Sequence, residues 1–181
     1  MRKPLTAEFF ARDTLDVARD LIGAVMLHGG EGGIIVETEA YKGDPASHFL
    51  TRRHKASIMG TTFGRIYAYS IYGMHHCVNV TTDASGPGAV LLRAIEPTHG
   101  VDAMMRRRGV TRLADVASGP AKLFVALALD PSMTGRNACD VFTFLPRKAP
   151  VDVATGPRIG ISRAAELPWR YWLRGNEFVS R

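Results

Sequence analysis

The chain has 181 residues, of which 46% are hydrophobic and 22% charged, and 23 Lys and Arg against 17 Asp and Glu give it a net charge of +6. This length and composition predict one globular domain over residues 1–181, and the excess of positive charge favours a polyanionic partner such as nucleic acid. No apolar run approaches the length of a membrane span, the charged N-terminal segment predicts no signal peptide, and two cysteines are too few for a disulfide framework, so we expect a cytoplasmic protein with free thiols.

The N-terminal third is predicted to contain one helix, two strands and a long loop. Apolar residues recur on one helical face over residues 6–23, and Gly23 is a fitting helix end. Strands are predicted over 24–27 and 34–41, joined by a glycine-rich turn. Residues 42–65 are predicted to form a polar loop, and loops of this length in compact domains tend to be functional or disordered.

A β-hairpin is predicted over residues 67–80, because aromatic and β-branched residues dominate both of its arms. Its tight turn falls at or near Tyr72-Gly73, where glycine supplies the positive φ that such a turn needs. A large ring at the tip is unusual, since turn tips carry small polar residues. Either Tyr72 folds back onto the protein, or it inserts into a partner such as a nucleic-acid base stack.

The C-terminal half is predicted to mix short strands and helices. The predicted elements are a buried strand over 89–95 stopped by Pro97, helices over 98–108 and 121–129, and short strands over 141–145, 158–161 and 171–179. The strands cluster instead of alternating with helices, which argues against βαβ winding. We therefore predict an α+β fold, with a curved, mainly antiparallel sheet, surrounding helices and a protruding β-hairpin.

Five ordered motifs resemble those of a known family. They are Glu37-Thr38-Glu39-Ala40-Tyr41, Ala46-Ser47-His48, Tyr67-Ala68-Tyr69-Ser70-Ile71-Tyr72-Gly73-Met74, Val90-Leu91-Leu92-Arg93-Ala94-Ile95-Glu96-Pro97 and Ser118-Gly119-Pro120-Ala121-Lys122-Leu123. In this order they are similar to the alkyladenine DNA glycosylases, the 3-methyladenine DNA glycosylases of the animal-enzyme type, over about residues 8–180. The chain departs from that family at residues 53–57, where the family usually has a Thr-Pro-Arg-Asn run, and in a short connection around 131–157.

The resemblance implies a monofunctional DNA glycosylase of base excision repair. Such an enzyme flips the damaged nucleotide out of the duplex and hydrolyses its N-glycosidic bond. The implied substrates are alkylated or deaminated purines (3-methyladenine, 7-methylguanine and hypoxanthine) in double-stranded DNA. We expect a monomer without a cofactor, associated with the nucleoid if the source is bacterial.

Two carboxylates, Glu37 and Glu39, are candidates for the hydrolytic base, because residues two apart in a strand share a face. A carboxylate would serve both as a base for water and as a counter-charge to an oxocarbenium-like transition state. Spacing leaves open which one works, or whether both are a solvated pair; the resemblance assigns the role to Glu39. It also implies that Arg93 orders the catalytic water with Glu39, although a buried arginine equally fits a structural salt bridge.

The resemblance further implies the residues that receive the base. Tyr41 would stack on one face of the flipped purine, and His48 and Tyr69 on the other. Asn79 would crowd the 2-amino group of guanine, and Tyr72 would enter the minor groove in place of the flipped base. From the residues alone, Tyr69 fits strand packing, His48 a surface loop, and Asn79 a backbone hydrogen bond.

Several alternatives remain open at this point. His75 and Cys77 share a strand face, but no second ligand pair has metal spacing, so we expect no metal. The arginines at 106–108 fit a solvated helix end better than a phosphate grip. Lys42 leaves open a lyase route through a Schiff base. The rival functions are a non-catalytic binder of damaged or abasic DNA and a hydrolase of free nucleosides, which would not need Tyr72.

Overall fold

The computed structural model describes residues 2–52, 56–71 and 73–180. The strands in this part of the chain are β1 (Val25–His28), β2 (Glu31–Lys42), β3 (Ile66–Ile71), β4 (His75–Thr82), β5 (Gly88–His99), β6 (Thr143–Leu145), β7 (Val153–Gly156) and β8 (Arg170–Leu173). The α-helices are α1 (Ala7–Phe10), α2 (Thr14–Asp20), α3 (His48–Thr51), α4 (Ile58–Thr61), α5 (Val101–Arg108), α6 (Pro120–Ala126) and α7 (Ala138–Val141).

The strands form one antiparallel sheet, which confirms the predicted α+β class. Its order is β3-β4-β5-β2-β1-β6, and β8 pairs with both β2 and β7. The two long strands, β2 and β5, pair along most of their length and form its centre. The predicted hairpin is confirmed as the antiparallel pair β3–β4, in which Tyr69 lies opposite Cys77.

The two faces of this part of the sheet carry different residues, because side chains alternate along each strand. One face joins the main hydrophobic core, where Val90 and Leu92 pack among buried residues of α2 and α6. The other face carries a smaller cluster that includes Tyr67 and Ala89. No helix in the described ranges is long and apolar enough to cross a bilayer.

Two predictions for the N-terminal third are wrong in part. The single helix over 6–23 is two helices, because the backbone carbonyls of Phe10 and Arg12 accept hydrogen bonds from the Asp83 N–H. Asp13 then starts α2 by accepting from the backbone N–H of Leu15. The predicted loop over 42–65 contains two short helices, α3 and α4.

Three predictions for the C-terminal half are also corrected. Strand β5 continues through Pro97. Among the described strands, only β2 pairs with β5 at Pro97, so the other edge of β5 is unpaired there, and an unpaired edge tolerates a residue without an N–H donor. Residues 158–161 form no strand, and the strand near 171–179 is limited to β8, which pairs with β7. Arg158 is buried there with its guanidinium bonded to Asp44, so this segment is held by a side chain instead of a ladder.

The close packing of β2 against β5 predicts that an added methyl group at Gly33 destabilises the fold. A methyl group at Gly33 would overlap the backbone oxygen of Glu96 on β5. We expect Gly33→Ala to lower the free energy of unfolding by about 2–3 kcal/mol, measured by urea denaturation. Gly86→Ala is the matched control, because no heavy atom of the described residues lies within 4 Å of the added methyl group. A loss at Gly33 no larger than that at Gly86 would contradict the packing described here.

Candidate active site

A cavity of about 350 Å³ opens on the face of the sheet opposite the main core. Six side chains singled out by the sequence line it together: Glu39, Tyr41, His48, Tyr69, Asn79 and Arg93. They come from α3 and from four strands that are neighbours in the sheet, β3, β4, β5 and β2. The volume lies within the range of ligand sites, which is about 300–1,000 Å³.

The strand register explains why these residues meet. Asn79 on β4 and Glu39 on β2 both lie opposite Leu91 of β5, so the three form a row across the sheet. Residues directly opposite in a sheet project from the same face. Tyr41 and Arg93 lie two residues further along their strands and therefore share that face.

Arg93 is the centre of the site's charge network. Its Nε donates to Glu37 Oε1 at 2.9 Å, and its Nη1 lies 3.1 Å from Glu39 Oε1. Its Nη2 donates to the Ser180 hydroxyl at 3.0 Å. The two carboxylates are fully buried and Arg93 nearly so, which rules out the solvated pair considered from the sequence.

The two carboxylates have different surroundings. Glu37 lies behind the cavity wall and accepts from Arg170 Nε at 2.6 Å and from the Ser180 N–H at 2.8 Å, besides Arg93. Burial alone would raise the pKa of Glu37, but Arg93, Ser180 and Arg170 outweigh it and leave that pKa below its ordinary value. Glu39 is the carboxylate that faces the cavity.

Glu39 is held by donors on both of its oxygens. The Tyr41 hydroxyl donates to Oε2 at 2.8 Å, and the backbone N–H of Ile159 donates to Oε1 at 2.7 Å. Burial, followed by the nearby charge of Glu39, raises the pKa of Tyr41, so its hydroxyl remains a proton donor. The Ile159 contact was missed from the sequence, because a backbone donor 120 positions away leaves no side-chain signal.

The aromatic wall of the cavity combines His48 with two tyrosines. The His48 ring centroid lies 4.4 Å from that of Tyr69 with the rings nearly perpendicular, and Tyr67 stacks on Tyr69 at 5.8 Å. His48 Nδ1 is 3.1 Å from the Tyr67 hydroxyl. Burial, with a smaller contribution from Arg52, lowers the pKa of His48 to about 4, so its ring is neutral near pH 7.

Asn79 combines two features that the sequence kept apart as alternatives. Its Nδ2 donates to the backbone oxygen of Tyr67 at 3.1 Å, and its side chain also lines the cavity. The hydrogen bond fixes the amide on β4, which lies between β3 and β5 in the sheet.

Other residues singled out in the sequence lie elsewhere. Lys42 does not line the cavity; its Nζ binds Asp13 at 2.6 Å and Asp83 at 3.3 Å. The hydrogen bond that Lys42 donates to Asp13 raises the pKa of Lys42 and keeps it protonated. Tyr72 and residues 53–55 of the divergent loop lie outside the described residues.

The remaining candidates are two arginines that hold the fold and a cysteine in the cavity wall. Arg107 binds Glu31 at 2.7 Å, and Arg108 donates to the Val116 carbonyl at 3.1 Å, so two of the arginines at 106–108 hold the fold. Cys77 lines the cavity beside Tyr69, and burial raises the pKa of its thiol to about 11. Within the described ranges, no three His, Cys, Asp or Glu side chains come together as a metal-binding group.

Comparison with known proteins identifies relatives over nearly the whole chain. A family model described as methylpurine-DNA glycosylase matches residues 8–177. Three bacterial relatives carry the name "Putative 3-methyladenine DNA glycosylase". The relative from Agrobacterium fabrum is 50% identical over 96% of this chain and 90% of its own length. Those from Rhodopseudomonas palustris strain HaA2 and Bradyrhizobium diazoefficiens are 45% and 44% identical, over 98% and 99% of this chain and 90% and 92% of their own lengths.

The buried carboxylate of Glu37 should make the stability of the fold depend on pH. Its pKa in the folded protein lies below the ordinary value of 4.5, so its stabilising effect is complete above that pH and is lost as the pH falls further. We expect Glu37→Gln to lower the free energy of unfolding by about 3 kcal/mol at pH 7, because two arginines lose their buried partner. The difference from the wild type should shrink as the pH approaches 3.

Urea denaturation at several pH values measures this difference. Glu177→Gln is the matched control, since Glu177 is exposed, and we expect it to change stability by less than about 0.5 kcal/mol. A difference for Glu37→Gln that stays constant from pH 7 to pH 3 would contradict the assignment.

Proposed function

The chain belongs to the methylpurine-DNA glycosylase family, whose members hydrolyse N-glycosyl bonds, and we propose that it excises 3-methyladenine, 7-methylguanine and hypoxanthine from double-stranded DNA. It acts as a single-domain, monofunctional enzyme on a flipped nucleotide and leaves an abasic site. One observation carries the proposal: a buried carboxylate and a set of aromatic rings line the same cavity.

Glu39 is the proposed catalytic base. It takes a proton from a water molecule whose oxygen forms a new bond to C1′, while the electron pair of the C1′–N9 bond leaves with the purine. The negative charge of Glu39 also stabilises the positive charge that develops on the sugar. Arg93 and the Ile159 N–H keep the carboxylate in place, so Arg93 contributes by positioning Glu39 and the water.

The aromatic residues are proposed to bind the flipped base. Tyr41 stacks on one face of the purine, and His48 and Tyr69 stack on the other, with each base–aromatic contact contributing about 1–3 kcal/mol. A neutral His48 does not repel a cationic purine, which supports this assignment for alkylated bases. The Asn79 amide crowds the 2-amino group of guanine, because the bond to Tyr67 prevents it from moving aside, and so disfavours normal guanine. In 7-methylguanine, which carries the same group, the positive charge of the base weakens the glycosidic bond and compensates for this crowding.

The monofunctional mechanism is supported by the position of Lys42. A lyase needs a neutral amine that reaches C1′. The Lys42 ammonium is instead paired with two carboxylates outside the cavity.

The hairpin tip is the proposed wedge. Ile71 lines the cavity at the end of β3, and the side chain of Met74, just before β4, is 76% exposed. We propose that Tyr72, between them in sequence, fills the space vacated by the flipped base, as apolar wedges do in the minor groove.

Replacement of the catalytic base tests the proposed reaction. We expect Glu39→Gln to slow release of hypoxanthine from a duplex by about 10²–10⁴-fold in single turnover, because the base is lost. Affinity for the lesion duplex should change little, since a glutamine side chain has nearly the same shape as the glutamate it replaces. Base release is measured by chromatography and abasic sites by alkaline cleavage, on hypoxanthine duplexes and on methylated DNA.

The outcomes separate the rival functions. Lesion binding by the wild type without release of either base would favour a non-catalytic damage binder. A covalent adduct trapped with borohydride would contradict the monofunctional mechanism. Hydrolysis of free inosine as fast as of the duplex would favour a nucleoside hydrolase.

Replacement of Tyr72 tests the wedge. We expect Tyr72→Ala to reduce base release from duplex DNA about tenfold or more, because unstacking is no longer compensated, and to affect single-stranded substrate less. Met74→Ala is the control at the same turn, because its side chain is exposed. Equal losses on duplex and single strand would show that Tyr72 does not act as a wedge.

A further inference from the structure

Arg158 is a cation with a fully buried side chain that lies against Tyr41, one of the residues lining the cavity. The carbon centre of its guanidinium lies 4.6 Å from the centroid of the Tyr41 ring and 5.1 Å from that of Trp169. Its side chain has no exposed surface. Since the guanidinium covers one face of Tyr41, a purine base stacks only on the other face.

The guanidinium is held in this place by three residues. Nη1 donates to the Ala40 carbonyl at 3.0 Å, and Nη2 to the Ala164 carbonyl at 3.3 Å. Asp44 accepts from both nitrogens, at 3.2 and 2.7 Å. Arg158 Nε is buried but has no hydrogen-bond partner among the described residues. These contacts fix the charge relative to the ring.

We propose that Arg158 sets the selectivity of the pocket between cationic and neutral purines, an inference that rests on the function proposed above. An aromatic ring attracts a cation through the negative charge of its faces. A fixed positive charge behind Tyr41 repels a second cation stacked in front of it, whereas a neutral purine does not experience this repulsion. Arg158 therefore weakens binding of a cationic alkylated base relative to neutral hypoxanthine.

Two acidic groups limit the effect. Glu39 accepts a hydrogen bond from the Tyr41 hydroxyl and thereby increases the electron density of the ring. Asp44 compensates part of the guanidinium charge at 2.7 Å. Removing Arg158 should therefore raise the preference for a cationic base, and removing the charge of Asp44 should lower it.

The test is a ratio measured on two otherwise identical duplexes, one carrying cationic 7-methylguanine and the other neutral hypoxanthine. Single-turnover release rates and dissociation constants are determined for each. We expect Arg158→Gln to raise the preference for 7-methylguanine over hypoxanthine by about threefold to tenfold, because the opposing charge is removed. Arg158→Lys, which keeps the charge, should leave the ratio within about twofold of the wild type.

Asp44→Asn is the second variant, and it keeps Arg158. We expect the preference for 7-methylguanine to fall, because the guanidinium charge is less compensated. If Arg158→Gln does not fold, as judged by circular dichroism, the change in this preference in Asp44→Asn is the deciding measurement. A merely structural role would slow both substrates by the same factor, and an unchanged ratio in the variants that fold would overturn the proposal.

Failure of the proposed function gives a different result. A wild type that releases neither base would refute the proposed activity. The dissociation constants for the two lesion duplexes could still be measured and compared. That ratio then tests Arg158 on the two lesion duplexes by binding alone, with the same expected directions.

Discussion

The site depends on one buried ion network, in which Arg93 lies between Glu37 and Glu39. Buried charges are tolerated only when they are paired and hydrogen-bonded, and here the donors come from β5, β8 and the segment around Ser180. Because Glu37 already binds two arginines behind the wall, Glu39 is the carboxylate left to face the cavity. The different surroundings of the two carboxylates thus follow from their positions in β2.

The cavity adds neutral rings to this charged wall. Burial lowers the pKa of His48 and raises the pKa of Tyr69, so both rings remain uncharged near pH 7. The charged residues that line the cavity are Glu39, Arg52 and Arg93, while Arg158 lies behind Tyr41. A stacked purine would meet uncharged faces on both sides and the carboxylate at the sugar, which suits cleavage at C1′.

The family resemblance named most of the site residues, and strand period alone predicted that Glu37 and Glu39 share a face. Tyr41 lies two residues after Glu39 and so shares its face of β2. The hairpin pattern around Gly73 also predicted β3 and β4 correctly. The prediction failed where tertiary contacts override local pattern. Pro97 does not end β5, and helices interrupt the polar stretch after Lys42. The backbone donor of Ile159 and the buried Arg158–Asp44 pair join segments more than a hundred residues apart, and no local pattern reveals such contacts.

The contacts of Glu37 also bear on how the protein folds. Its bond to Ser180 joins residues 143 positions apart, and the bond from Ile159 to Glu39 spans 120 positions. Such closures come at an entropic cost that is recovered only when the central sheet already holds both ends together. Local opening of residues 158–161, which form no strand, would therefore release Glu39 from the Ile159 N–H while the sheet and the main core stay folded. The proposed activity should therefore be lost on mild denaturation before the sheet itself unfolds.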